Sequence, residues 1–134
     1  VDANLEQSMH KSKLSGFIID CRTEDLEAAA SFWSRALGMP IHEFQGSEND
    51  TYRGLTDAQH GLDIEVQMVD HPSRVHLDIE TDDVDAEVSR LEGLGAARVQ
   101  QVRDWWVMEA PTGQRFCVVR AKKGDFERRA NTWG

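Results

Sequence analysis

Apolar and polar positions follow two similar cycles along the chain. The first opens with GFIIDCR (16–22), an apolar run rich in β-branched residues that predicts a strand. Thr23 follows as a helix N-cap, with Glu24 and Asp25 in the first turn, Gly38 at the exit and Pro40 beyond it. Between them Leu26, Ala29, Ala30, Trp33, Ala36 and Leu37 form one apolar stripe at helical spacing. Strand-like runs come next at 41–45, 51–55 and 62–69. In the last, Leu62, Ile64, Val66 and Met68 line one face, and Asp63, Glu65 and Gln67 line the other. His71-Pro72 marks a turn, after which the cycle restarts. RVHLDIE (74–80) sets Val75, Leu77 and Ile79 against His76, Asp78 and Glu80. A second helix takes its cap from Thr81, Asp82 or Asp83, carries the stripe Val84, Val88, Leu91 and Leu94, and stops at Gly93 or Gly95. Strand-like runs at 97–102, 104–110 and 115–121 complete it, the last two joined by a turn at Pro111-Thr112-Gly113.

The two cycles are related. FIIDCRTEDL (17–26) set over VHLDIETDDV (75–84) places Asp20 on Asp78, Thr23 on Thr81 and Asp25 on Asp83. Each half reads strand–helix–strand–strand–strand, and such self-similarity is a fold-level signal. A ferredoxin-like domain is the competing α+β arrangement, but it needs only two strands between its helices. The expectation is an α+β chain of two βαβββ modules, 15–70 and 74–121, forming a curved mixed-sheet cup. Residues 1–14 lack periodicity and read as a loose arm, and 122–134 as a polar tail.

Composition narrows the function. Of 134 residues, 15 are Lys or Arg and 24 are Asp or Glu, a formal charge of −9. So acidic a chain lacks the cationic footprint that nucleic acid requires, and anionic membrane surfaces repel it. No apolar run approaches the roughly 18–20 residues of a membrane span. Cys21 and Cys117 both lie in apolar runs and read as buried free thiols of a cytoplasmic protein. The N-terminal segment has no secretion-signal pattern. Phosphate-loop, GxSxG, CxxC and HExxH patterns are all missing from the sequence.

EDLEAAASFWSRALGMP, HLDIETDDVDAEVSRLEGLGA and APTGQRFCVV, in that order, resemble the vicinal oxygen chelate superfamily in its glyoxalase/bleomycin-resistance-like branch. The resemblance spans about residues 15–121. It implies modules that pair within a chain or across a homodimer, with a small-molecule ligand inside the cup. It leaves the reaction open, because the superfamily holds lyases, isomerases and non-enzymatic drug-binding proteins. Catalytic members carry four metal ligands. Aligned on the motifs, those positions fall on Ile18, Glu65 (with Gln67 as the alternative), His76 and Cys117.

Ile18 cannot coordinate a metal, and a Cys117 thiolate suits soft ions rather than the harder ions of this family. Glu65 and His76 are the two serviceable ligands, whereas catalytic zinc normally keeps three. The expectation is therefore a metal-free small-molecule site, with His76 and Glu65 as catalytic groups, and as metal ligands should a divalent ion bind. Asp20, Asp78, Trp105, Trp106, Arg115 and Cys117 are the further candidates for ligand binding. Trp105 and Trp106 are adjacent in a strand, so one faces the core and the other lines the cup or an interface. The plain reading of His76 is a polar residue hydrogen-bonded to a neighbouring carboxylate. Cys117 as a nucleophile paired with His76 is a further reading, as is a module that only presents its sheets to a partner.

Overall fold

The structure, a computed structural model, describes residues 9–57, 59, 61–122 and 124–134. The chain divides into two compact units: Gly16–His76, and Leu77–Gly134 together with the chain before Gly16.

The first unit takes β1 (His10–Arg22) from Gly16 on, and its apolar residues from Phe17 alternate toward the core. Helix α1 (Leu26–Leu37) follows, then β2 (Ile41–His42), a short 3-10 turn, β3 (Tyr52–Thr56) and β4 (Asp63–Val69). β1 and β4 are parallel; β3 is antiparallel to β4, and β2 to β3. Helix α1 is capped by Asp25, whose carboxylate accepts from Ala28 N at 3.0 Å, and not by Thr23, which instead accepts from Asp25 N. An αL glycine, Gly38, ends it as the sequence predicts. Ile19, Leu26, Leu55, Ile64 and Val66 form the buried core, and Trp33 packs against it.

The second unit repeats this plan with β5 (Arg74–Thr81), α2 (Val84–Gly93), β6 (Ala97–Val102), β7 (Trp105–Glu109) and β8 (Arg115–Arg120). β5 and β8 are parallel, and β7 is antiparallel to both β8 and β6. The strand order β2-β3-β4-β1 of one unit thus has its copy in β6-β7-β8-β5 of the other. This is the α+β architecture of two βαβββ modules that the duplication predicts. Val88, Leu91, Met108, Phe116 and Val118 make its core.

Several expectations are corrected. Residues 10–14, read as part of a loose arm, are the first part of β1; residues 1–8 lie outside the described residues. The tail contains a short helix α3 (Phe126–Arg129) and a strand β9 (Asn131–Trp133) that pairs antiparallel with His10–Ser12. A buried cluster explains both. Glu87 on α2 accepts from His10 Nε2 at 2.7 Å, from Ser12 Oγ at 2.8 Å and from the guanidinium of Arg90 at 2.8 and 2.9 Å. Trp133 Nε1 donates to Ser12 Oγ, and Arg90 lies over the Trp133 ring at 3.9 Å. Of the expected apolar face of β5, only Ile79 packs on the core; Val75 and Leu77 are 59% and 51% exposed.

Candidate functional site

Alternation in β1 and β4 decides which side chains share a face. Ile19, Ile64 and Val66 are in the core of the first unit, so Ile18, Asp20, Glu65 and Gln67 emerge on the other side. Register arranges them in rows. His42, Gly54, Glu65 and Ile18 are partners across β2, β3, β4 and β1, and Tyr52, Gln67 and Asp20 form the next row. Successive rows on one face lie about 6.6–6.8 Å apart along the strands.

His76, at the end of this unit, meets Asp20 in it. His76 Nδ1 donates to Asp20 Oδ2 at 2.8 Å. A carboxylate can only accept, so Nδ1 carries a proton, and whenever the ring is neutral its lone pair is on Nε2. The Asp20 side chain is 1% exposed and that of His76 12%. Arg74, two residues before His76, places Nε 3.5 Å from the same Asp20 oxygen. The other carboxylate oxygen, Oδ1, is buried and has no hydrogen-bond partner among the described residues. Arg74 was not legible as a site residue, though its two-residue spacing from His76 was the available signal.

Gly54 is buried mid-strand, and a Cβ there would run into the imidazole of His42. The missing side chain lets His42 lie across the row toward Glu65, with Nδ1 held 3.1 Å from Thr56 Oγ1. The sequence places His42 only at a strand start; a glycine inside a strand was the overlooked sign of a close approach. His60, a loop residue in the sequence, lies outside the described residues.

The other predicted residues belong to the second unit. Asp78 and Cys117 are register partners, and Cys117 also faces Val107. Arg115 Nε pairs with Glu109 at 3.1 Å. Trp106 packs on the core, with Arg98 over its ring at 5.0 Å, so it is the core-facing member of the Trp pair. Trp105, half-buried, is on the opposite face. Asp20 pairs with Gln67 as its copy Asp78 pairs with Cys117. The duplication therefore makes Gln67 the copy of Cys117, and Arg115 the copy of Glu65. Cys21 packs beside the first core, and burial pushes its thiol above the ordinary range, as suits an inert structural thiol.

The residues present do not fit the four-ligand metal centre that the resemblance implies. Ile18, buried and apolar, is the direct partner of Glu65 where a ligand is needed. What the first unit does offer is an imidazole of fixed tautomer on a buried carboxylate, beside a second carboxylate and an amide. Such a set can accept or deliver a proton, or bind polar groups of a ligand.

Among solved structures, a hypothetical protein from Bacillus halodurans C-125 is 10% identical with a TM-score of 0.60, covering 84% of this chain and 97% of that one. A variant of methylmalonyl-CoA epimerase from Streptomyces coelicolor, in complex with 2-nitronate-propionyl-CoA, is 16% identical with a TM-score of 0.56, covering 82% and 98%. Methylmalonyl-CoA epimerase from Mycobacterium tuberculosis is 16% identical with a TM-score of 0.54, covering 81% and 88%. These likenesses concern the fold. A comparison with curated proteins finds no match. No helix among the described residues is long and apolar enough to cross a membrane. The Glyoxalase-like domain family model matches residues 16–119, and the chain belongs to that family.

Proposed function

We propose that this glyoxalase-like chain binds a small molecule on the polar face of the Gly16–His76 unit, through the Asp20–His76 pair and without a resident metal. The single observation that carries this reading is the 2.8 Å bond from His76 Nδ1 to a carboxylate almost wholly withdrawn from solvent. A carboxylate kept at that depth orients the imidazole, so that in the neutral ring Nε2 is the basic nitrogen. Glu65 and Gln67 are the adjoining polar contacts. Asp78, Cys117, Trp105 and Arg115 belong to the same reading as ligand contacts on the second unit's own polar face. The epimerases among the structural neighbours, one of them bound to 2-nitronate-propionyl-CoA, support a small organic ligand. A homodimer in the cytoplasm completes the reading, and sedimentation of the purified chain tests the dimer.

A second reading makes the chain an isomerase or lyase with His76 Nε2 as general base. The fixed tautomer favours it, because the protonated ring formed on accepting a proton would lie against Asp20. Native mass spectrometry and elemental analysis of the untagged chain test both. The expected result is a retained small molecule that disappears in His76→Ala, with metal well below one equivalent. One equivalent of metal that is lost in His76→Ala overturns the metal-free reading.

A further inference from the structure

We infer that the site on the Gly16–His76 unit takes a ligand bearing a protonated amine, received by Oδ1 of Asp20. This rests on the reading that the unit's polar face binds a small molecule, and adds the chemical class of that molecule.

Asp20 divides its two oxygens unequally. Oδ2 accepts from His76 Nδ1 at 2.8 Å and lies 3.5 Å from Arg74 Nε. Oδ1 is buried without a partner among the described residues, although the side chain is 1% exposed. A buried acceptor is almost always paired, and an ionised one asks for a donor above all. Arg74 does not meet that need, because it approaches the other oxygen, beyond good hydrogen-bond length.

A groove of about 580 Å³ on the same unit is lined by the end of β4 and by Thr23 and Glu24 just beyond β1; it includes Gln67, the register partner of Asp20, but not Asp20 itself. Its titratable lining residues are Glu24, Asp70 and His71, with neither Lys nor Arg. Glu65 stands in the adjoining row of the polar face. Carboxylates on the groove and an unpaired carboxylate oxygen on the neighbouring strand favour a cation over a neutral alcohol, and repel a carboxylate ligand. A protonated amine satisfies both requirements, supplying the missing N–H donor and the complementary charge.

Three aromatic probes of similar shape test this: benzylammonium, benzyl alcohol and benzoate. Each is titrated into the full chain at neutral pH and followed by the NMR signals of Asp20, Gln67 and His76. Benzylammonium is expected to bind at least tenfold more tightly than benzyl alcohol, with benzoate shifting nothing at the same concentrations. Asp20→Asn, which keeps shape and supplies a donor of its own, is expected to weaken benzylammonium at least tenfold. The wild-type ranking needs no variant, so misfolding of Asp20→Asn would not shield the idea. The inference is overturned if benzyl alcohol or benzoate binds as well as the amine. It is equally overturned if a folded Asp20→Asn keeps the affinity, which would leave Oδ1 holding water alone. If benzyl alcohol or benzoate moves the His76 signal while the amine does not, the amine class falls and the small-molecule reading stands. If no probe moves these signals the amine assignment falls, and the co-purification experiment decides the broader reading separately.

Discussion

Glu87 in the second unit and Asp20 in the first are both carboxylates withdrawn from water, yet their oxygens are occupied differently. Glu87 is fully buried and both its oxygens are engaged: Arg90 reaches each of them, His10 one and Ser12 the other. Asp20 uses one oxygen and keeps the other unpartnered among the described residues. The units are copies, so the contrast is not one of architecture. The helix position equivalent to Glu87 is Ala29 in the first unit, which packs against apolar core. A saturated buried carboxylate fastens elements together; an unsaturated one on a polar face is suited to receive something from outside.

The largest test of this contrast is removal of the fastening carboxylate. Glu87→Ala leaves Arg90, His10 and Ser12 around an empty acceptor position. It is expected to lower the unfolding free energy by about 3 kcal/mol or more, as for a broken buried pair. Urea denaturation measures it, and a loss under about 1 kcal/mol would mean the network is incidental.

Acid should find the same weak point. Burial pushes the Glu87 carboxyl up, but hydrogen bonds from Arg90, His10 and Ser12 outweigh it and hold it below the ordinary carboxylate range. Its folded value is therefore lower than its unfolded one, about 4.3. The stabilisation is present above the unfolded value and is lost as pH falls through the folded one. Denaturation midpoints followed from about pH 6 downward should drop more steeply in the wild type than in Glu87→Gln. Parallel curves would remove Glu87 from the account.

Asp20→Asn sharpens the contrast from the other side. The amide can keep its oxygen on His76 Nδ1, and no partner of Oδ1 among the described residues is lost. The expected change in stability is within about 1 kcal/mol, in either direction. A cost as large as that of Glu87→Ala would mark Asp20 as a second fastening group rather than a receiving one.

The smallest effect concerns the Gly54 notch. Gly54→Ala drives the His42 ring off its seat and away from Thr56, at an expected cost of about 1 kcal/mol or less. With His42→Ala in the background the same substitution should be neutral or stabilising, because a strand glycine no longer has a ring to admit. A double-mutant cycle without coupling would show that the ring is not held there.

Much of the fold was legible in the residues. Alternation at Leu62–Met68 and the stripes from Leu26 and Val84 are consequences of backbone periods of 2 and 3.6, which any chain of this pattern obeys. The duplicated Asp20 and Asp78 anticipated two units with the same strand order. The Asp20–His76 bond was half legible: the strand faces were readable, but the choice of partner was not. Two carboxylates, Asp20 and Asp78, are equivalent to sequence reasoning, and the two halves differ in what stands around them. His10, Ser12 and Trp133 were unreadable as a group, because Trp133 lies 121 residues from the serine it binds. Each alone is an ordinary polar or aromatic residue in an unpatterned segment.

Local period and the chemistry of single side chains were enough for the repeated elements, the polar and apolar faces of β4, and the unfit ligand positions. Ile18 is the plainest case, since no fold can make it coordinate. Three outcomes instead waited on how the folded chain packs: Asp20 leaves an oxygen open, His42 leans through Gly54, and both ends of the described chain close on Glu87. They depend on distances between residues far apart in the chain, and hydrogen bonds are made or missed there within a few tenths of an ångström.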